Sequence, residues 1–131
     1  MKRTTITSKL VFTALVFSAA TVIAQQPAVK RTVLHQQDLS TAGREVVMAK
    51  AEFPKGGATG RHTHPGEESS YVAAGTIALE VEGVTKTYKA GESFFVPAGK
   101  VHNAVNSDAG ESVVIANYIV EKGKPLTTPV K

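Results

Sequence analysis

Three of the four histidines in this 131-residue chain stand at spacings that suit one metal ion. His62 and His64 are separated by a single residue, Glu68 follows four positions later, and His102 arrives on a separate segment. On a strand, residues i and i+2 project to the same side, so His62 and His64 face one point. On a helix the two would lie about 200° apart. Pro65-Gly66 reads as a turn that returns Glu68 to the same cavity, and the Pro97-Ala98-Gly99 turn delivers His102. The result is an N3O donor set, which suits Fe, Mn, Ni, Cu or Zn. Four protein ligands leave one or two open positions on a metal that prefers five or six. Water, dioxygen or a chelating organic molecule would bind there.

The elements that must position these residues read as short strands punctuated by glycine and proline. Arg44 to Phe53 is a strand stopped by Pro54 and Gly56-Gly57. Glu68 to Ala74 and Thr76 to Val81 follow, the second alternating Ile77, Leu79 and Val81 with wetter neighbours. Glu82-Gly83 is a hairpin signal before Thr85 to Ala90. Ser93 to Val96 is a short buried strand. Ser112 to Val120 is the longest apolar run and is hydrophobic on both parities, which predicts one face on a core and the other against a second sheet or a partner subunit. Beyond the first two dozen residues no stretch keeps a helical period over three turns. The segment Gln25 to Lys30 reads as a polar leader, and Glu121 to Lys131, with Pro125 and Pro129, as an extended and loosely held tail. Such a pattern predicts an all-β antiparallel sandwich or barrel.

The first 24 residues carry a basic start (Met1-Lys2-Arg3, then Lys9) and an uncharged apolar run from Leu10 to Ala20. Small residues up to Ala24 then suit a signal peptidase. The run is shorter than the ~20 residues a membrane-spanning helix needs, so a cleaved signal and an exported chain, periplasmic or secreted, are expected without a stable membrane anchor. Removing Lys2, Arg3 and Lys9 takes the 15 basic residues to 12 against 11 acidic ones, net +1 rather than +4. No basic block remains to recruit nucleic acid or an anionic membrane. The chain has no cysteine, so no disulfide supports it. Core packing, metal and oligomerisation must hold the domain expected over residues 25–131.

Two segments resemble the paired signature motifs of the cupin superfamily. Gly56, His62, His64, Glu68 and Gly75 fill every position of the first, and Gly91, Pro97, Gly99, His102 and Asn106 every position of the second. The likeness spans about residues 32–120 and includes only one motif pair, as in a small single-domain cupin. It implies a jelly-roll β-barrel with His62, His64, Glu68 and His102 as ligands to a divalent transition metal. Fe, Mn or Ni is expected, with Zn or Cu as alternatives. Glu67 also lies within reach of the site, and the family's spacing favours Glu68. The nearest functional likeness is to quercetin-dioxygenase-like small cupins, in which a small chelating substrate is expected. Glu68 would double as a proton shuttle, with Glu67 or Tyr71 assisting at the cavity mouth. A metal-dependent isomerase or lyase, or a non-catalytic binding or sensing cupin, would use the same ligand set. The resemblance and the doubly apolar run Ser112 to Val120 together suggest a homodimer.

Overall fold

The computed structural model describes residues 25–131; the expected signal segment, residues 1–24, lies outside the described residues. Ten strands follow one another among the described residues. They are β1 (Lys30–Asp38), β2 (Arg44–Phe53), β3 (His62–Thr63), β4 (Gly66–Ala74), β5 (Thr76–Val81), β6 (Val84–Lys89), β7 (Ser93–Val96), β8 (His102–Asn106), β9 (Ser112–Glu121) and β10 (Thr128–Pro129). No helix occurs among the described residues. The strands form two five-stranded antiparallel sheets, one ordered β1-β2-β9-β4-β7 and the other β10-β3-β8-β5-β6. This is an all-β jelly-roll barrel.

The period of two in the sequence decides what each strand buries. In β2, Val47, Ala49, Ala51 and Phe53 point inward, while Val46, Met48, Lys50 and Glu52 are only half-buried. In β9, Val114, Ala116, Tyr118 and Val120 face the same core, which Ile77, Leu79 and Ala104 close from the opposite sheet. Strand β9 is bonded on one side to β2 and on the other to β4. Its second apolar parity therefore forms the outer face of a central strand. Both of its edges are paired within the sheet, so a partner subunit would meet this outer face.

At the β5–β6 hairpin, Glu82 (φ 48°) and Gly83 (φ 85°) both take the left-handed region, as a two-residue turn matched to strand twist requires. Gly66 has a different reason to be glycine. A Cβ there would collide with the backbone of Ile119 and Val120, so the residue is needed for the close approach of β4 to β9 rather than for a turn.

The tail is not loosely held. Strand β10 pairs with β3, Val130 N donates to Arg61 O at 2.9 Å, and Leu126 packs against the core. Proline stops regular structure, but one bridge of two residues on an otherwise unpaired strand edge is enough to anchor the segment.

Candidate metal centre

Strand β3 meets its partner β8 at a single register pair, His62 opposite His102. That pairing brings the first motif onto the second. His64 follows one residue beyond β3, with its side chain on the same side as that of His62. All three rings are 2–3% exposed, and their centroids lie 4.2 to 4.9 Å apart. Glu68 enters from β4, with one oxygen 3.1 Å from His64 Nε2 and 3.3 Å from His102 Nε2. Its other oxygen accepts a 2.6 Å hydrogen bond from Ser70 Oγ, since residues 68 and 70 share the inner face of that strand.

Each ring uses its Nδ1 on a backbone carbonyl. His62 donates to Gly60 O at 2.8 Å, His102 to Lys100 O at 2.9 Å and His64 to Leu126 O at 2.6 Å. A carbonyl only accepts, so each Nδ1 carries a proton, and in the neutral tautomer this leaves the Nε2 lone pair of each ring aimed at the centre. His62 Nε2 and His64 Nε2 stand 3.2 Å apart. His102 Nε2 is buried without a hydrogen bond despite its approach to Glu68. Converging lone pairs beside a carboxylate repel one another unless a cation stands among them. The three histidines can thus hold a metal ion, and the donor set fits one.

The titration behaviour of the site agrees with this picture. Burial pushes His62 down to about 4, against the opposing hydrogen bond to Gly60, and the neighbouring His102 and His64 add to the fall. Burial alone would raise Glu68, but the close approach of His102 and His64 and the hydrogen bond from Ser70 outweigh that and hold the carboxyl below the ordinary carboxylate range. Tyr118 lies against His64, ring centroids 4.6 Å apart. Burial, and then the Glu68 charge, raise its hydroxyl so that it stays protonated.

The other two residues singled out for catalysis lie elsewhere. Strand parity places Glu67 and Tyr71 on the face opposite Glu68. Glu67 pairs with Arg44 at 2.8 Å, and Tyr71 is 48% exposed on the outside of the barrel. The expectation that they assist at the cavity mouth is corrected by this geometry. The aromatic residue beside the rings is Tyr118. Tyr118, Ser70 and Arg31 are not singled out as site residues by the sequence. Ser70 was recoverable from its spacing to Glu68; Arg31 had no such signal.

Two chambers adjoin the rings. The inner one is walled by apolar side chains, among them Ala51, Phe53, Leu79, Phe94 and Val114, and contains His62, Glu68 and His102. It leaves about 20 Å³ for the centre of a water-sized molecule, roughly the room one water needs. The outer one has a volume of about 310 Å³ and is lined by Ala28, Val29, Arg31, Thr59, His62 and Thr127.

Fold and site together define a β-barrel with a buried histidine triad competent to bind metal. The family model for the cupin domain matches residues 49–123, more than half of the chain, and the chain belongs to that family. No curated protein matches it. Among solved structures, a cupin domain from Bordetella pertussis Tohama I is 28% identical, with 73% of this chain and 97% of that one covered and a TM-score of 0.60. An RmlC-like cupin from Shewanella frigidimarina NCIMB 400 is also 28% identical, covering 68% and 86% with a TM-score of 0.53. An oxalate oxidase in complex with the substrate analogue glycolate shares the fold at 24% identity and TM-score 0.63, with 78% of this chain matched to 55% of that one.

Proposed function

We propose that this cupin is an exported, metal-dependent enzyme of dioxygenase type that acts on a small chelating organic substrate. His62, His64, His102 and Glu68 hold Fe, Mn or Ni. The observation that carries the reading is the convergence of three buried Nε2 lone pairs, each fixed by an Nδ1 already bonded to a carbonyl. Such a centre, when loaded, supplies Lewis acidity and open coordination positions for an oxygen ligand. The chain's own residues do the rest. The carbonyls of Gly60, Lys100 and Leu126 orient the rings, and Ser70 restrains Glu68 so that one carboxylate oxygen faces the centre. In this reading Glu68 serves both as ligand and as the group that takes a proton from an acidic substrate atom and returns it. The apolar inner walls exclude bulk water, and their small volume admits only a molecule of about the size of water or dioxygen beside the rings. The organic substrate belongs in the outer chamber, against His62.

The test is oxygen uptake by protein loaded with each of the three metals, over a panel of small chelating acids and phenols. The expected result is uptake with at least one of them, abolished in His102→Ala while the β-sheet circular dichroism persists. Conversion without oxygen consumption would instead identify an isomerase or lyase. A homodimer is part of the same proposal. The outer face of the first sheet exposes Ile119, Tyr71 and Phe95, an apolar surface suited to pairing, and light scattering at the monomer mass would reject it.

A further inference from the structure

Arg31, Thr59 and His62 line both chambers and so form the neck between them. Of the three, only Arg31 carries a permanent positive charge. It lies on β1 opposite Ala51, whose side chain points inward, so the arginine leans over the barrel interior. Its guanidinium stands 5.7 Å from the centroid of the Tyr118 ring, within the range of a cation–π contact. Tyr118 in turn packs on His64. The guanidinium is therefore held one ring away from the histidine cluster.

Arg31 also has donors to spare. One nitrogen bonds Thr127 Oγ1 at 3.2 Å, and among the described residues it forms no ion pair. A guanidinium offers five N–H groups in a fork that matches a carboxylate. Thr59 does not compete for that role, because its hydroxyl is engaged with Ala104 N, Gly60 O and Asn103 Oδ1. Glu68 supplies the single negative charge among the lining residues of both chambers.

We infer that Arg31 anchors the substrate, and that the substrate is a small carboxylic acid. Its carboxylate pairs with the guanidinium at the neck while a second oxygen, hydroxyl or carbonyl, enters toward His62. This inference rests on the metal-dependent reading for the second contact, but not for the first.

The test is titration calorimetry with lactate, 2-oxobutyrate and benzoate, beside lactamide as a neutral counterpart, on metal-loaded and metal-free protein. At least one acid should bind the loaded wild type, and lactamide should bind more weakly. Arg31→Gln should lose about 10- to 100-fold in affinity for that acid and no affinity for lactamide, with metal content and circular dichroism unchanged. Arg31→Lys should recover part of the loss. Thr127→Val is the control for an indirect effect, and an equal loss there would mean that Arg31 acts by holding the tail, which overturns the anchor. Acid binding that survives Arg31→Gln but vanishes in His102→Ala would place the carboxylate on the histidines and also overturn it. So would a failure of every acid to bind the wild type. If the wild type takes up no metal, the metal reading fails on its own. Acid binding by metal-free protein that needs Arg31 would still uphold the anchor, and its absence would reject it.

Discussion

His64 Nδ1 donates to the carbonyl of Leu126 at 2.6 Å, tying the centre of the barrel to a residue 62 positions further along the chain. That bond fixes the ring's tautomer and its aim, and the β3–β10 bridge beside it keeps the acceptor in place. Partners of this kind behind a ligating histidine typically carry a 10- to 100-fold effect on metal affinity. A chain ended after Lys124 should therefore bind metal about 10- to 100-fold more weakly, as read by competition with a chromophoric chelator. Unchanged affinity would show that the tail only decorates the barrel.

Glu67 and Glu68 are neighbours with opposite fates. Glu67 points outward to Arg44 in a half-exposed ion pair, so Glu67→Gln should cost no more than about 1 kcal/mol in denaturant unfolding. It should leave metal content untouched, and Tyr71→Phe should behave likewise. Glu68→Gln should weaken metal binding strongly, because a neutral amide replaces the only carboxylate that faces the rings among the described residues. Equal effects from the two substitutions would reverse the strand parity described above.

Gly66 tests the packing of β4 on β9. An alanine Cβ there meets the backbone of Ile119 and Val120, which cannot swing aside as a side chain would. Gly66→Ala should destabilise the fold by about 1–3 kcal/mol in urea unfolding, and it should reduce metal uptake because Glu68 lies two residues along the same strand. A neutral substitution would mean that the two strands separate more easily than this contact implies.

Acid should weaken the metal-free protein. Burial holds His62 near 4, below its ordinary 6.5, so between those values the unfolded chain takes up a proton that the folded chain refuses. Stability is then lost as pH falls through that window, and this ring adds no further loss below it. Glu68, held below the usual carboxylate range, continues the decline at lower pH. Urea midpoints measured in chelator should drop from about pH 6.5 to about pH 4. A flat profile there would contradict the buried neutral ring.

Much of the architecture was legible because it is local. The bounds of β2 follow from its alternation and from Pro54, and the hairpin at Glu82-Gly83 from its turn residues. The histidine cluster was legible because two ligands share a strand face and the third follows a proline-glycine turn. Strand parity also separates Glu68 from Glu67 and Tyr71, yet the sequence reading let proximity along the chain outweigh it. What lay beyond reach depends on distant partners. The strand Lys30–Asp38 is exposed along its whole length and has no apolar alternation, so β1 and the neck position of Arg31 had no signal. Strand β10 is two residues whose structure comes only from β3. Two of the carbonyl partners, Gly60 and Lys100, lie two residues before their histidines and form a local pattern; Leu126 does not.

The claim on which the rest depends is that the buried rings exist to hold an ion. Elemental analysis of protein purified without an affinity tag, beside His64→Ala, addresses it most directly. The account predicts about one Fe, Mn or Ni per chain in the wild type, lost in the variant while the sheet signal remains. A wild type that carries no metal and takes none up on reconstitution would contradict it.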